Sequence, residues 1–148
     1  MANFSRILFV DEANTDLSVM AAALFSQLRG ERPVEIDSRG LVVLFPEPVN
    51  AKAEAALKTC GLRALSDRSR ELVPGDLNQT TLILTMTETE KRTVLDQFPD
   101  ANFVYTIREF AGEQGDMEVP YGPASRYEEC CRRLSGLCWS IAEILFSR

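Results

Sequence analysis

Four apolar residues in a row, Ile7-Leu8-Phe9-Val10, run straight into two acids, Asp11-Glu12. A strand with one wet face alternates apolar and polar residues. A strand with no polar alternation is buried on both faces, and that requires a parallel sheet covered by helices on either side. Thr81-Leu82-Ile83-Leu84-Thr85-Met86 repeats the pattern. Two shorter segments, Val34 to Ser38 and Asn102 to Thr106, supply two more strands and predict a four-stranded sheet.

Helical segments alternate with these strands. Ser18 to Leu28 is Ala-rich and Gly30 stops it. Asn50 is placed to cap a helix from Ala51 to Cys60, which Gly61 ends. Thr87 with Glu90 three residues on forms a capping box for a helix ending near Phe98, before Pro99. Ser125 to Phe146 is a long last helix. Its apolar positions Tyr127, Cys131, Leu134, Cys138, Ile141 and Leu145 recur at three- and four-residue steps, and Trp139 is expected in the core with them. Leu41 to Phe45 is apolar and either extends the second strand or forms its own element. Gly112 to Gly122 reads as loop. The expected architecture is a three-layer α/β/α sandwich around a parallel sheet, with residues 1–148 as a single domain. In such sheets ligands sit at the carboxyl ends of the strands, so the loop after the first strand is the place to look.

Composition narrows the function. The chain has no histidine, which removes Ser-His and Cys-His catalysis and His-ligated zinc together. Its net charge of −6 argues against nucleic acid as a partner. No apolar run approaches the roughly 20 residues of a membrane helix, and the N-terminus lacks a signal-peptide pattern, so a cytoplasmic location is expected. Cys60, Cys130, Cys131 and Cys138 form no CxxC pair and read as reduced structural thiols. Arg126, Arg132 and Arg133 are expected on the solvated face of the last helix.

The opening strand with Asp11-Glu12 looks like the start of a response-regulator receiver, but neither later strand ends in the acceptor Asp or Lys of that family. A second resemblance spans nearly the whole chain. ILFVDEANTDLSVMAAALF resembles the opening of the low-molecular-weight protein tyrosine phosphatases and their arsenate-reductase relatives. Asp37-Ser38-Arg39-Gly40, Leu82 to Thr87 with Lys91, Val104 to Thr106 with Glu109 to Gly112, and Asp116-Met117-Glu118-Val119-Pro120-Tyr121-Gly122 match later elements of that family in order.

The resemblance implies a fold and a mechanism. In that family a Cys thiolate attacks phosphorus, loop N–H groups and an Arg hold the phosphate, and an Asp protonates the leaving oxygen. Here Asp11 stands at the nucleophile position, Leu17 at the arginine and Val119 at the acid. Asp16 replaces a second loop Cys and Ala13 a loop Gly, while Asn14, Thr15 and Ser18 keep the family's types. The resemblance thus implies a degenerate member with no catalytic residues. The loop Asp11-Glu12-Ala13-Asn14-Thr15-Asp16-Leu17-Ser18 would be a binding site, with Arg39, Glu118 and Tyr121 on the cleft rim and Tyr105 beside it. Such an acidic loop repels phosphate and suits a small cation or a basic protein segment.

No cofactor is required on this reading, and the simplest role for Asp11 or Asp16 is to cap the helix after the loop. The alternative is an active phosphatase, in which Asp11, Glu12 and Asp16 hold Mg²⁺ and Asp11 is nucleophile or ligand, or in which relic activity survives. Arg39 would restore anion binding if it pointed into the loop.

Overall fold

In the computed structural model, which describes residues 3–147, four strands lie parallel in the order β2-β1-β3-β4. The strands are β1 (Arg6–Asp11), β2 (Glu35–Gly40), β3 (Thr81–Thr85) and β4 (Phe103–Thr106). Helices α1 (Leu17–Arg29), α2 (Ala51–Thr59), α3 (Glu88–Gln97), α4 (Ile107–Phe110) and α5 (Ala124–Phe146) connect or follow them. Ile7 sits opposite Ile36 and Leu82, and Leu8 opposite Asp37 and Ile83, so β1 is central.

The continuous apolar run behaves as a doubly covered strand must. Ile7, Phe9, Leu82 and Leu84 face a large core closed by α1, α2 and α5. Leu8, Val10 and Ile83 point the other way, onto Val94 of α3, Val104 and Leu72. These two cores make the three layers.

The predicted caps form. Asn50 Oδ1 accepts the backbone N–H groups of Lys52 (2.9 Å) and Ala53 (3.2 Å). Thr87 Oγ1 accepts from the Glu90 N–H at 3.1 Å, and Glu90 Oε1 accepts from the Thr87 N–H at 3.1 Å. On α5, Tyr127, Cys131, Leu134, Cys138 and Ile141 are buried as the spacing predicts.

Three expectations change. The second strand runs from Glu35 to Gly40, later than predicted, because its register follows β1. The apolar stretch 41–45 is not a strand: it crosses the sheet's upper edge, leaving Val42, Leu44 and Phe45 exposed. Trp139 is 58% exposed, outside the core. It follows Cys138 directly, and one residue turns a helix by about 100°, off the buried stripe. Among the described residues no helix is long and apolar enough to cross a membrane.

Candidate functional site

The strand order reverses between β1 and β3, which opens a crevice at their carboxyl ends. The loop from β1 to α1 lies there, and its conformation is set by Asp11. The Asp11 side chain folds back under the loop. Its Oδ1 accepts the backbone N–H of Asn14 at 2.7 Å, and its Oδ2 accepts that of Ser18 at 2.9 Å. Asp16 Oδ1 accepts from the Leu17 N–H at 2.7 Å. Two carboxylates thus satisfy the free N–H groups at the start of α1, where the helix dipole favours negative charge.

Asn14 is the second organiser. It is buried and has φ of 59°, the left-handed conformation, unlike every other described non-glycine residue. The turn therefore falls at Asn14, and Ala13 in the glycine position needs no positive φ. The Asn14 amide donates to Ser18 Oγ (2.9 Å) and Ser38 Oγ (2.9 Å), while its Oδ1 accepts the Arg70 backbone N–H (2.9 Å). One side chain thus ties the loop to α1, β2 and the 66–72 segment. Gly40 lets these surfaces meet: a Cβ there would lie 3.0 Å from the Ala13 carbonyl carbon and 2.8 Å from a Val43 methyl. The Thr15 carbonyl accepts the Asn50 N–H at 2.9 Å, which joins the loop to α2.

The charges are mostly internal. Burial pushes the Asp11 carboxyl up to about 6, against the opposing effect of its hydrogen bonds, and Asp16 adds to the rise. Burial also raises Asp16. Glu90, in the first turn of α3 just beyond the neighbouring strand β3, is pushed up to about 7 by burial and then by Asp11. Its Oε1 accepts the N–H groups of Met86 (3.0 Å) and Thr87. Two carboxylates therefore share the floor of the crevice.

Arg39 does not restore a phosphate clamp. Its guanidinium pairs with Asp37 (3.0 Å) and Asp76 (3.2 Å) and donates to its own strand's Ser38 carbonyl (2.8 Å). Asp37, raised by burial but lowered more strongly by Arg39 and Arg70, is held below the usual carboxylate range. Leu17 is 1% exposed in the main core. Val119 and Glu118 are exposed on the facing loop. Tyr121 is 71% exposed, with the Arg126 guanidinium 5.7 Å from its ring centre. Tyr105 packs edge-on against Phe110 at 5.3 Å.

The set Asp11, Glu12 and Asp16 does not converge on a cation. Asp11 is turned inward onto two N–H groups, Asp16 caps α1, and Glu12 points to solvent. Among the described residues no three acids or cysteines are grouped to hold a metal ion. The sequence reading missed Glu90 as a neighbour of Asp11, and Arg70 and Asp76 as the partners that hold the loop and Arg39. Only Glu90 carried a signal. Strands β1 and β3 are both doubly buried and so adjacent, which brings their carboxyl ends together.

A parallel sheet that opens at its first strand into a short loop wrapped over a helix N-terminus defines a phosphate-loop α/β domain. The chain belongs to the low molecular weight phosphotyrosine protein phosphatase family, whose model matches residues 6–146. A protein-arginine-phosphatase from Geobacillus stearothermophilus is 34% identical over 145 residues, covering 95% of both chains. A low molecular weight protein-tyrosine-phosphatase from Staphylococcus haemolyticus is 29% identical, over 79% of this chain and 82% of its own. Among solved structures, a low molecular weight protein tyrosine phosphatase from T. tengcongensis superposes with a TM-score of 0.88 at 34% identity, over 95% of this chain and 99% of the other.

Proposed function

We propose that this chain is a catalytically silent member of its family that serves as a binding or regulatory module. The observation that carries this reading is the Asp11 carboxylate, whose two oxygens already take the loop N–H groups of Asn14 and Ser18. An incoming phosphate would have to displace a buried anion from the donors it needs. Coulomb repulsion between two charges 4 Å apart is about 4 kcal/mol at an effective dielectric near 20, which opposes phosphate further. Leu17 in the core supplies no positive charge, and Val119 has no proton to give the leaving group. Glu12 and Glu118 leave acids on the open side of the cleft, which suits a cationic segment of a partner better than an anion.

The test is hydrolysis of an aryl phosphate and of a phosphoarginine peptide, with and without Mg²⁺. The second substrate is included because one relative is a protein-arginine-phosphatase. The expected result is no turnover by the chain as it stands. Turnover that disappears in Asp11→Asn would overturn this reading.

A further inference from the structure

Helix α5 buries one side against α1 and α2 and turns another to solvent. On that outer side Arg132, Gly136, Trp139 and Glu143 are all exposed. Their spacing of four, three and four residues places them in one narrow stripe along the helix. Among the described residues neither Arg132 nor Glu143 has an ion-pair partner, although both lie on a helix well supplied with charges. An exposed tryptophan is a large apolar surface left in water, and Trp is the residue type most enriched at the centres of protein interfaces.

The stripe is complementary to itself in a single register. Two copies of α5 laid antiparallel, with the two-fold axis level with the Leu137–Cys138 bond, bring Arg132 opposite Glu143 and Gly136 opposite Trp139, twice over by symmetry. A tryptophan placed over Gly136 meets no Cβ, and nothing lies within 4 Å of where one would be. A groove of about 280 Å³ opens beside it, lined by Leu137 and Met117 below and by Arg108 and Arg132 at the sides.

We propose that two copies of this chain pair through α5 about this two-fold axis, each Trp139 lying across the other copy's Gly136. Charge, shape and symmetry select the same register independently, which is why the occupant is a second copy rather than an unrelated helix. A contact built on one helix from each side falls below the roughly 1,200 Å² of a standard interface, so the dimer is weak and concentration-dependent.

The experiment is sedimentation of the full chain over a micromolar to millimolar series, in reducing buffer so that exposed Cys60 cannot cross-link copies. Trp139 is the sole tryptophan, so intrinsic fluorescence reports on this contact alone. The expected result is a monomer–dimer shift accompanied by a blue shift of the emission. Trp139→Ala and Gly136→Leu should remain monomeric over the same range with unchanged circular dichroism. Arg132→Glu and Glu143→Arg should each weaken association by about tenfold or more, and the doubly exchanged chain should recover it. A chain that stays monomeric throughout overturns the proposal. So does a dimer that survives Trp139→Ala, or a double exchange that associates no better than either single one.

Discussion

The Asp11 carboxylate closes onto the helix that begins six residues later, its Oδ2 accepting the Ser18 backbone N–H at 2.9 Å. The residue at the end of the central strand thereby joins the N-cap Asp16 in satisfying the first turn of the following helix. A capping carboxylate on a surface helix stays ionised cheaply. This one is 5% exposed, and burial raises its pKa from 3.8 to about 6 despite the two N–H donors.

That burial makes folding pH-dependent in an unusual direction. An acid whose pKa is higher in the folded chain favours folding most when protonated. Its contribution is complete below 3.8 and is lost as pH rises through 6, a difference of about 3 kcal/mol for Asp11. Glu90, raised from 4.5 to about 7, acts in the same sense. The chain has no histidine, the side chain that ordinarily titrates in this range. Thermal melting should therefore occur at a higher temperature at pH 5 than at pH 7.5. In Asp11→Asn that difference should shrink, leaving the part that burial of Glu90 contributes. At neutral pH the variant should be close to the parent in stability, because relief of the buried charge offsets one lost N–H acceptor worth about 1–3 kcal/mol. A parent chain more stable at pH 7.5 than at pH 5 would sink the assignment of Asp11 as a buried, strained acid.

Asn14 is expected to be the most sensitive polar residue of the loop. Asn14→Ala removes both donors to Ser18 and Ser38 and leaves the Arg70 N–H without its acceptor, while keeping a Cβ at φ of 59°. A buried unsatisfied group costs about 1–3 kcal/mol and left-handed strain about 1 more, so a loss of about 2–4 kcal/mol in urea unfolding is expected. Asn14→Gly loses the same hydrogen bonds without the strain. It should therefore be the milder of the two, and the reverse order would show that the backbone conformation at position 14 is not what Asn14 supplies.

Much of this arrangement is legible in the sequence because it rests on local rules. The strands Arg6–Asp11 and Thr81–Thr85 announce themselves as apolar runs, and Asn50 and Thr87 as caps, since each depends on neighbours within a few residues. The capping role of Asp11 and Asp16 follows from the same logic. What escapes is pairing across distance. Arg39 is one residue from Ser38 in a site motif, yet its charge is shared between Asp37 beside it and Asp76, 37 residues on. The 41–45 segment has a strand's composition, but only its first two N–H groups, of Leu41 and Val42, find carbonyls at the end of β1, those of Asp11 and Glu12. Glu90 reads as a helix cap and is one. Its second property, closeness to Asp11, exists only because β3 lies beside β1.

Gly40 tests how tightly the loop is packed against the second strand. Its conformation does not require glycine, since its φ lies outside the left-handed region, so any effect of a side chain there is steric. In Gly40→Ala the new methyl would stand 3.0 Å from the Ala13 carbonyl carbon and from the Asn14 Cβ. The first is backbone and cannot rotate aside, whereas the Val43 methyl at 2.8 Å can. Overpacking of this kind costs about 1–3 kcal/mol. The loop must shift outward to relieve it, which lengthens the hydrogen bonds from Asn14 to Ser18 and Ser38. Gly40→Ala should therefore lower stability by that amount and speed amide exchange at Asn14 and Ser18, while leaving β3 and α3 protected as before. Equal loss of protection across the whole sheet would mean that Gly40 supports the fold at large and not the loop.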